Sequence, residues 1–160
     1  MSKLMKSFNK GIEYLLMVLV ALMVISAVWQ VLSRYIFGQG SAQTEELMRY
    51  AIIWVSVIGG AYVYGEKGHL AITFFANKLK PSLVKVIGVL IDTAVSIFST
   101  IVLIYGGYQI VSATMIQISP GMGLPMGYMY LALPIAGFMF ILYAIQHITT
   151  RLKSENNIAL

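Results

Sequence analysis

Three charged residues lie close together just before a long apolar segment: Glu45, Glu46 and Arg49. Residues three and four apart are neighbours on a helix, so a helix here would bring the arginine within reach of both carboxylates. This arrangement suits an ion pair at a membrane interface or a contact with another subunit. The alternative is that the three residues only form the solvated start of a helix, with the arginine as an anchor at the interface. Exposed ion pairs contribute little stability, so the spacing alone does not show a contact.

Asp92 is the one acidic residue inside a long apolar segment. It follows Lys85 by seven positions, which corresponds to about 10 Å along a helix. A carboxylate within a membrane helix is a candidate proton relay or ion ligand. A coupled ion site usually needs more than one carboxylate, so a structural role is the other interpretation, with Thr93, Ser96 or headgroup water satisfying the acid.

Two histidines, His69 and His147, raise the question of haem, because histidine is a common axial haem ligand. Both fall near predicted helix ends, whereas haem ligands in a helical bundle face each other in its interior. The sequence has no cysteine, no phosphate-binding glycine loop and no His-Glu-x-x-His metal motif. The sequence therefore predicts neither an enzyme nor a cofactor.

The whole chain has the composition of a membrane protein. Of its 160 residues, 59% are hydrophobic and 11% are charged, and the mean hydropathy is +0.82. Soluble domains carry about 25% charged residues, and a short chain cannot bury this much apolar surface in a soluble core. The net charge of +5 lies in short clusters beside apolar runs, so nucleic acid is not an expected partner.

Four apolar segments are long enough to cross a bilayer as helices, which takes about 20 residues each. We predict a single all-α membrane domain with spans at about 13–35, 46–65, 84–108 and 127–148. Between spans two and three, residues 68–80 place apolar side chains on one helix side and polar ones on the other. This pattern predicts an amphipathic helix lying in the membrane surface.

Several residues predict where these helices start, break or bend. Thr44 has a side chain suited to capping the start of the second helix. The Gly106–Gly107 pair predicts a break, or a helix that emerges from the membrane, in the third apolar segment. Pro134 predicts a kink in the fourth helix.

The distribution of cations predicts the orientation of the chain. Nine of the 11 Lys and Arg residues lie before span one, between spans two and three or at the very start of span three (Lys85), or after span four. By the positive-inside rule, both termini are then cytoplasmic. Arg34, the Glu45–Arg49 cluster and the turn at Pro120 then lie on the opposite, non-cytoplasmic side of the membrane.

Two motifs, in this order and at this spacing, resemble the small integral membrane (Q) subunit of TRAP transporters, the tripartite ATP-independent periplasmic transporters. The first motif is Glu45-Glu46-Leu47-x-Arg49-Tyr50, followed by Trp54, Gly59-Gly60-Ala61 and Gly68-His69-Leu70. The second is Ser119-Pro120-x-x-Gly123-Leu124-Pro125-x-Gly127-Tyr128-x-Tyr130-x-x-x-Pro134. The resemblance covers essentially the whole chain, including its size and its four spans.

This resemblance implies a non-enzymatic subunit of a sodium-coupled secondary transporter in a bacterial inner membrane. It implies two protein partners: a large membrane subunit (M), which carries the substrate and ion sites, and a periplasmic substrate-binding protein (P). The implied substrates are carboxylates, such as dicarboxylates, 2-oxo acids or sialic acid. The candidate subunit-contact residues are Glu45, Glu46, Arg49, Trp54, Gly59, Gly60, His69, Pro120, Gly123 and Pro125.

A stand-alone small oligomeric transporter or channel is an alternative function. It would need carboxylates near the middle of the membrane. A haem-bearing respiratory anchor is a second alternative, which would use the two histidines.

Overall fold

A computed structural model describes residues 3–67 and 81–156. The helices are α1 (Lys3–Phe37), α2 (Ala42–Lys67), α3 (Pro81–Phe98), a π-helical segment (Ser99–Gly106), α4 (Gly107–Thr114), α5 (Gly127–Tyr130) and α6 (Ala132–Asn156). The interfacial helix predicted for 68–80, which includes His69, lies outside the described residues.

Four helical stretches are long and apolar enough to cross a membrane, which confirms the predicted all-α class. They are Met5–Phe37, Ala42–Glu66, Leu83–Thr114 and Gly127–Arg151. Each exceeds the roughly 20 residues that one crossing takes.

Among the described residues, the first helix contacts the other helices through one narrow seam, and α2 is its main partner. Between Asn9 and Ser33, the side chains that are not fully exposed recur at alternating steps of three and four residues: Asn9, Ile12, Leu16, Leu19, Met23, Ser26, Gln30 and Ser33. This repeat is typical of two helices that cross at a shallow angle. Because the seam is narrow, most of the apolar surface of α1 faces away from the protein.

The last long helix, α6, lies between α2 and the third apolar stretch. Small buried residues on α6, Ala132, Ala136 and Ala144, let neighbouring backbones come close, as is usual between membrane helices. Met139 and Tyr143 are buried on the same helix. The long helices therefore follow one another in space as α1, α2, α6 and α3.

The third apolar stretch runs from α3 through the π-helical segment into α4 without the predicted break. Both glycines of the Gly106–Gly107 pair keep helical backbone angles. A Cβ atom on Gly107 would lie 3.0 Å from side-chain atoms of Leu133 and Pro134. The second glycine of the pair therefore allows close packing against α6. Of the two alternatives for this pair, the break is wrong, and a helix that emerges from the membrane stays a prediction.

One other local prediction needs correction. Ser41 caps α2 in place of Thr44: its Oγ accepts a hydrogen bond from the Thr44 amide at 3.4 Å, as a residue just before the helix is placed to do. The fourth apolar stretch is interrupted at Leu131, between α5 and α6. Pro134 follows three residues later and cannot donate the helical hydrogen bond to the Tyr130 carbonyl, so the interruption lies where the proline weakens the helix. A kink at Pro134 stays a prediction.

Candidate functional site

Asp92 lies in a buried cluster that joins three helices, which we call the Asp92 cluster: Tyr64, Asp92, His147 and Arg151. The Tyr64 hydroxyl donates a hydrogen bond to Asp92 Oδ1 at 2.7 Å, and Arg151 Nη2 lies 3.4 Å from Asp92 Oδ2. His147 Nδ1 is 3.6 Å from Oδ1. The Asp92, His147 and Arg151 side chains are 2%, 6% and 10% exposed.

The cluster changes the interpretation of the membrane acid. Neither Thr93 nor Ser96 satisfies the Asp92 carboxylate, because their hydroxyls donate to the backbone carbonyls of Val89 and Asp92. The partners come instead from α2 and α6. Asp92 is therefore one half of a buried ion pair with Arg151, and such a pair depends on both of its members.

A second set of polar contacts connects α1 to the same end of the molecule. Asn9 Nδ2 donates to Glu66 Oε1 at 2.6 Å, and the Tyr143 hydroxyl donates to Asn9 Oδ1 at 2.8 Å. His147 Nε2 lies 3.2 Å from the Gly65 carbonyl oxygen. We call these residues and the Asp92 cluster together the polar network, and it links α1, α2, α3 and α6.

At the other end of the molecule, the connection between α4 and α5 folds back onto the start of α2. Glu46 Oε2 accepts a hydrogen bond from the Met122 amide at 2.6 Å. Trp54 Nε1 donates to the Tyr128 carbonyl oxygen at 3.3 Å. A Cβ atom on Gly121 would lie 2.6 Å from Glu46 Oε2, so glycine is required where the loop passes the carboxylate.

The loop itself is a compact turn, built by the second motif. Ile118 and Pro125 form an antiparallel bridge, and the Ser119 amide donates to the Leu124 carbonyl oxygen at 2.9 Å. Gly123 has a φ of +68°, a conformation that side chains with a Cβ rarely adopt. Pro120 lies exposed in the turn.

The structure divides the charged cluster of the first motif into two parts. Arg49 Nη2 pairs with Glu45 Oε1 at 3.2 Å, and the two side chains are 64% and 58% exposed. Such an exposed pair contributes at most about 1 kcal/mol. Glu46 is only partly exposed and holds the loop, so the two neighbouring acids have different roles.

We therefore expect Glu46→Ala to destabilise the folded chain by about 1 to 2 kcal/mol, because the Met122 amide loses a charged acceptor. Glu45→Ala is the matched control and should change stability by less than about 0.5 kcal/mol. Thermal unfolding of the purified chain in detergent measures both. Equal losses for the two variants would contradict the proposed role of Glu46 in holding the loop.

Three glycines of α2, two of which belong to the first motif, face other helices of this chain. A Cβ atom on Gly59 would lie 3.9 Å from Leu16 of α1, and one on Gly60 would lie 4.0 Å from Phe140 of α6. One on Gly65 would lie only 2.5 Å from the buried ring of Tyr143. These small residues therefore serve packing within the chain, and their contact with another subunit remains a prediction.

Sequence reasoning missed most of the polar network. It treated His147 as a possible haem ligand and counted Arg151 only among the cations that orient the chain, although the two residues are four apart and share one helix face. In the structure, the two ring nitrogens of His147 face the Gly65 carbonyl and Asp92. Asn9 and Tyr64 gave no signal, because their partners lie far away in sequence.

These features define a helical membrane protein whose buried polar groups join its own helices. Residues 9–154 match the family described as tripartite ATP-independent periplasmic transporters, DctQ component. The chain belongs to this family, whose members are transport proteins and not enzymes.

Relatives carry corresponding names. A protein of Haemophilus influenzae, named as a TRAP transporter small permease protein, is 32% identical over 139 residues, which cover 87% of this chain and 86% of the relative. The sialic acid TRAP transporter small permease protein SiaQ of Vibrio cholerae is 28% identical over 154 residues, covering 94% of this chain and 87% of SiaQ.

Proposed function

We propose that this chain is the small membrane subunit of a sodium-coupled TRAP transporter and acts as a scaffold for the large membrane subunit. The observation that carries the proposal is the polar network, in which the buried acid Asp92 is neutralised by Arg151. An ion path of its own would need polar groups free to bind and release the ion. The network instead joins the four long helices, which suits a rigid support.

In this proposal, the large subunit carries the substrate and sodium sites and moves the substrate across the membrane. The small subunit braces the static part of the large subunit. The periplasmic binding protein docks on its outer side, where the loop held by Glu46 offers a contact surface that includes Pro120, Gly123 and Pro125.

The proposed substrate is a carboxylate. The name of the Vibrio cholerae relative refers to sialic acid, which supports sialic acid as one candidate, and a dicarboxylate or a similar organic acid is another. In a scaffold subunit, neither choice would depend on a residue of this chain.

We further propose that the chain lies in a bacterial inner membrane with both termini cytoplasmic, as the cation distribution favours. The chain has no cysteine, so single cysteines give no background. An impermeant thiol reagent added to intact spheroplasts should label cysteines replacing Gln39 and Gln117 but not those replacing Lys10 and Thr150. The reverse pattern would refute this orientation.

The scaffold function predicts that the chain transports nothing alone. Reconstituted by itself in proteoliposomes under a sodium gradient, it should show no uptake of labelled sialic acid or dicarboxylate. Adding the cognate large subunit and periplasmic binding protein should produce sodium-dependent uptake. Uptake by the chain alone would instead support the stand-alone transporter.

A further inference from the structure

A groove of about 400 Å³ lies between α1 and α2, at the opposite end of these helices from the polar network. Its walls are formed by Ala27, Gln30, Val31, Arg34, Tyr35 and Met48. The cation Arg34 therefore lies beside a largely apolar surface. The proposed scaffold function assigns no role to this groove.

Arg34 lies where a lipid headgroup would be. It directly follows the 20 uncharged residues from Tyr14 to Ser33 and belongs to the last turn of α1. Within the described part of the chain, Arg34 makes no ion pair, whereas Arg49 at the same end is paired with Glu45. Its guanidinium therefore keeps its hydrogen-bond donors available for an anion.

The groove below this cation suits a hydrocarbon chain. Val31 and Ala27 lie one and two turns before Arg34 on α1, and Met48 closes the groove from α2. The partly exposed Gln30 lines the groove between these two levels, about one turn before Arg34. Tyr35 is exposed beside the guanidinium, as is common for tyrosine at a membrane interface.

We propose that this groove binds a phospholipid, with its phosphate at Arg34 and one acyl chain along Ala27, Val31 and Met48. A guanidinium binds phosphate through two parallel hydrogen bonds, which gives geometric specificity as well as charge. Free phosphate has the same anionic group but no chain to fill the apolar part of the groove. The proposal stands on the groove alone and does not depend on the function of the subunit.

The test uses the purified full-length chain in detergent with added palmitoyl-oleoyl-phosphatidylglycerol, and native mass spectrometry measures the fraction of chain that retains the lipid. Arg34→Gln should lower the apparent affinity about tenfold, the effect expected for loss of a charge-assisted contact. Arg34→Lys should fall between this variant and the wild type. Lys10→Gln removes an equal charge from the other end of α1 and should retain the wild-type affinity.

A second variant tests the apolar part of the groove without changing any charge. Ala27→Trp should fill the groove and lower lipid retention, although Arg34 is intact. Excess inorganic phosphate should leave the retained lipid unchanged, which separates a lipid site from a site for the free anion.

Three results would overturn the proposal. They are equal retention by Arg34→Gln and the wild type, equal loss in the Arg34→Gln and Lys10→Gln variants, and displacement of the lipid by inorganic phosphate. A photoreactive residue replacing Tyr35 that crosslinks in membranes to a protein and not to lipid would likewise reassign the groove to a protein partner.

Discussion

Replacing Asp92 with asparagine should destabilise the chain by about 3 to 5 kcal/mol, because removing one member of a buried ion pair leaves the other charge poorly compensated. In the native chain, Arg151 Nη2 lies 3.4 Å from Asp92 Oδ2. The asparagine can still accept the hydrogen bond from Tyr64, so the loss of stability is due mainly to removal of the negative charge. The unfolding temperature in detergent should fall accordingly.

A double-mutant cycle separates the ion pair from general damage to the site. Arg151→Gln alone should also be destabilising, whereas Asp92→Asn combined with Arg151→Gln should recover much of the loss, because no uncompensated charge remains. Strictly additive losses would show that the pair is not coupled. If Asp92→Asn unfolded at the wild-type temperature, Asp92 would have no role in holding the helices of the polar network together.

Replacing Gly65 with alanine should destabilise the chain by about 1 to 3 kcal/mol, the usual range for overpacking a filled interior. The new methyl group would lie 2.5 Å from the Tyr143 ring, which is almost fully buried and donates its hydroxyl hydrogen bond to Asn9. Relief of the clash must therefore move the ring, the helices or both. A local change at one glycine would then disturb the contact between α1 and α6.

Gly60→Ala is the matched control for this prediction. It lies on the same helix, and its Cβ would meet Phe140 at an ordinary distance of 4.0 Å. Alanine favours a helix over glycine by about 1 kcal/mol, so Gly60→Ala should be neutral or slightly stabilising. Thermal unfolding of both variants measures the difference, and equal unfolding temperatures would mean that α2 and α6 are not tightly packed at Gly65.

The two ends of the chain differ in how their polar groups are used. The polar network buries charges between helices that lie far apart in sequence, whereas Glu45 and Arg49 pair within a single exposed helix turn. Substitutions in the network should therefore affect the whole fold, because they remove links between helices. Substitutions at Glu45 or Arg49 should leave the fold intact and report on contacts with other molecules.

The sequence by itself determined the class of the protein and its helices. Long apolar runs fix the number of membrane-length helices, because a backbone in lipid must satisfy its own hydrogen bonds. The order of the two motifs gave the family.

Only the tertiary structure decided which residues meet. Arg151 reaches Asp92, and Glu46 reaches the Met122 amide while Arg49 turns to Glu45. These pairings depend on the rotation and tilt of each helix relative to its neighbours. The hydropathy of the sequence does not determine these pairings, because the surrounding lipid is as apolar as the helix interfaces. Close packing and a few buried polar contacts select the arrangement instead.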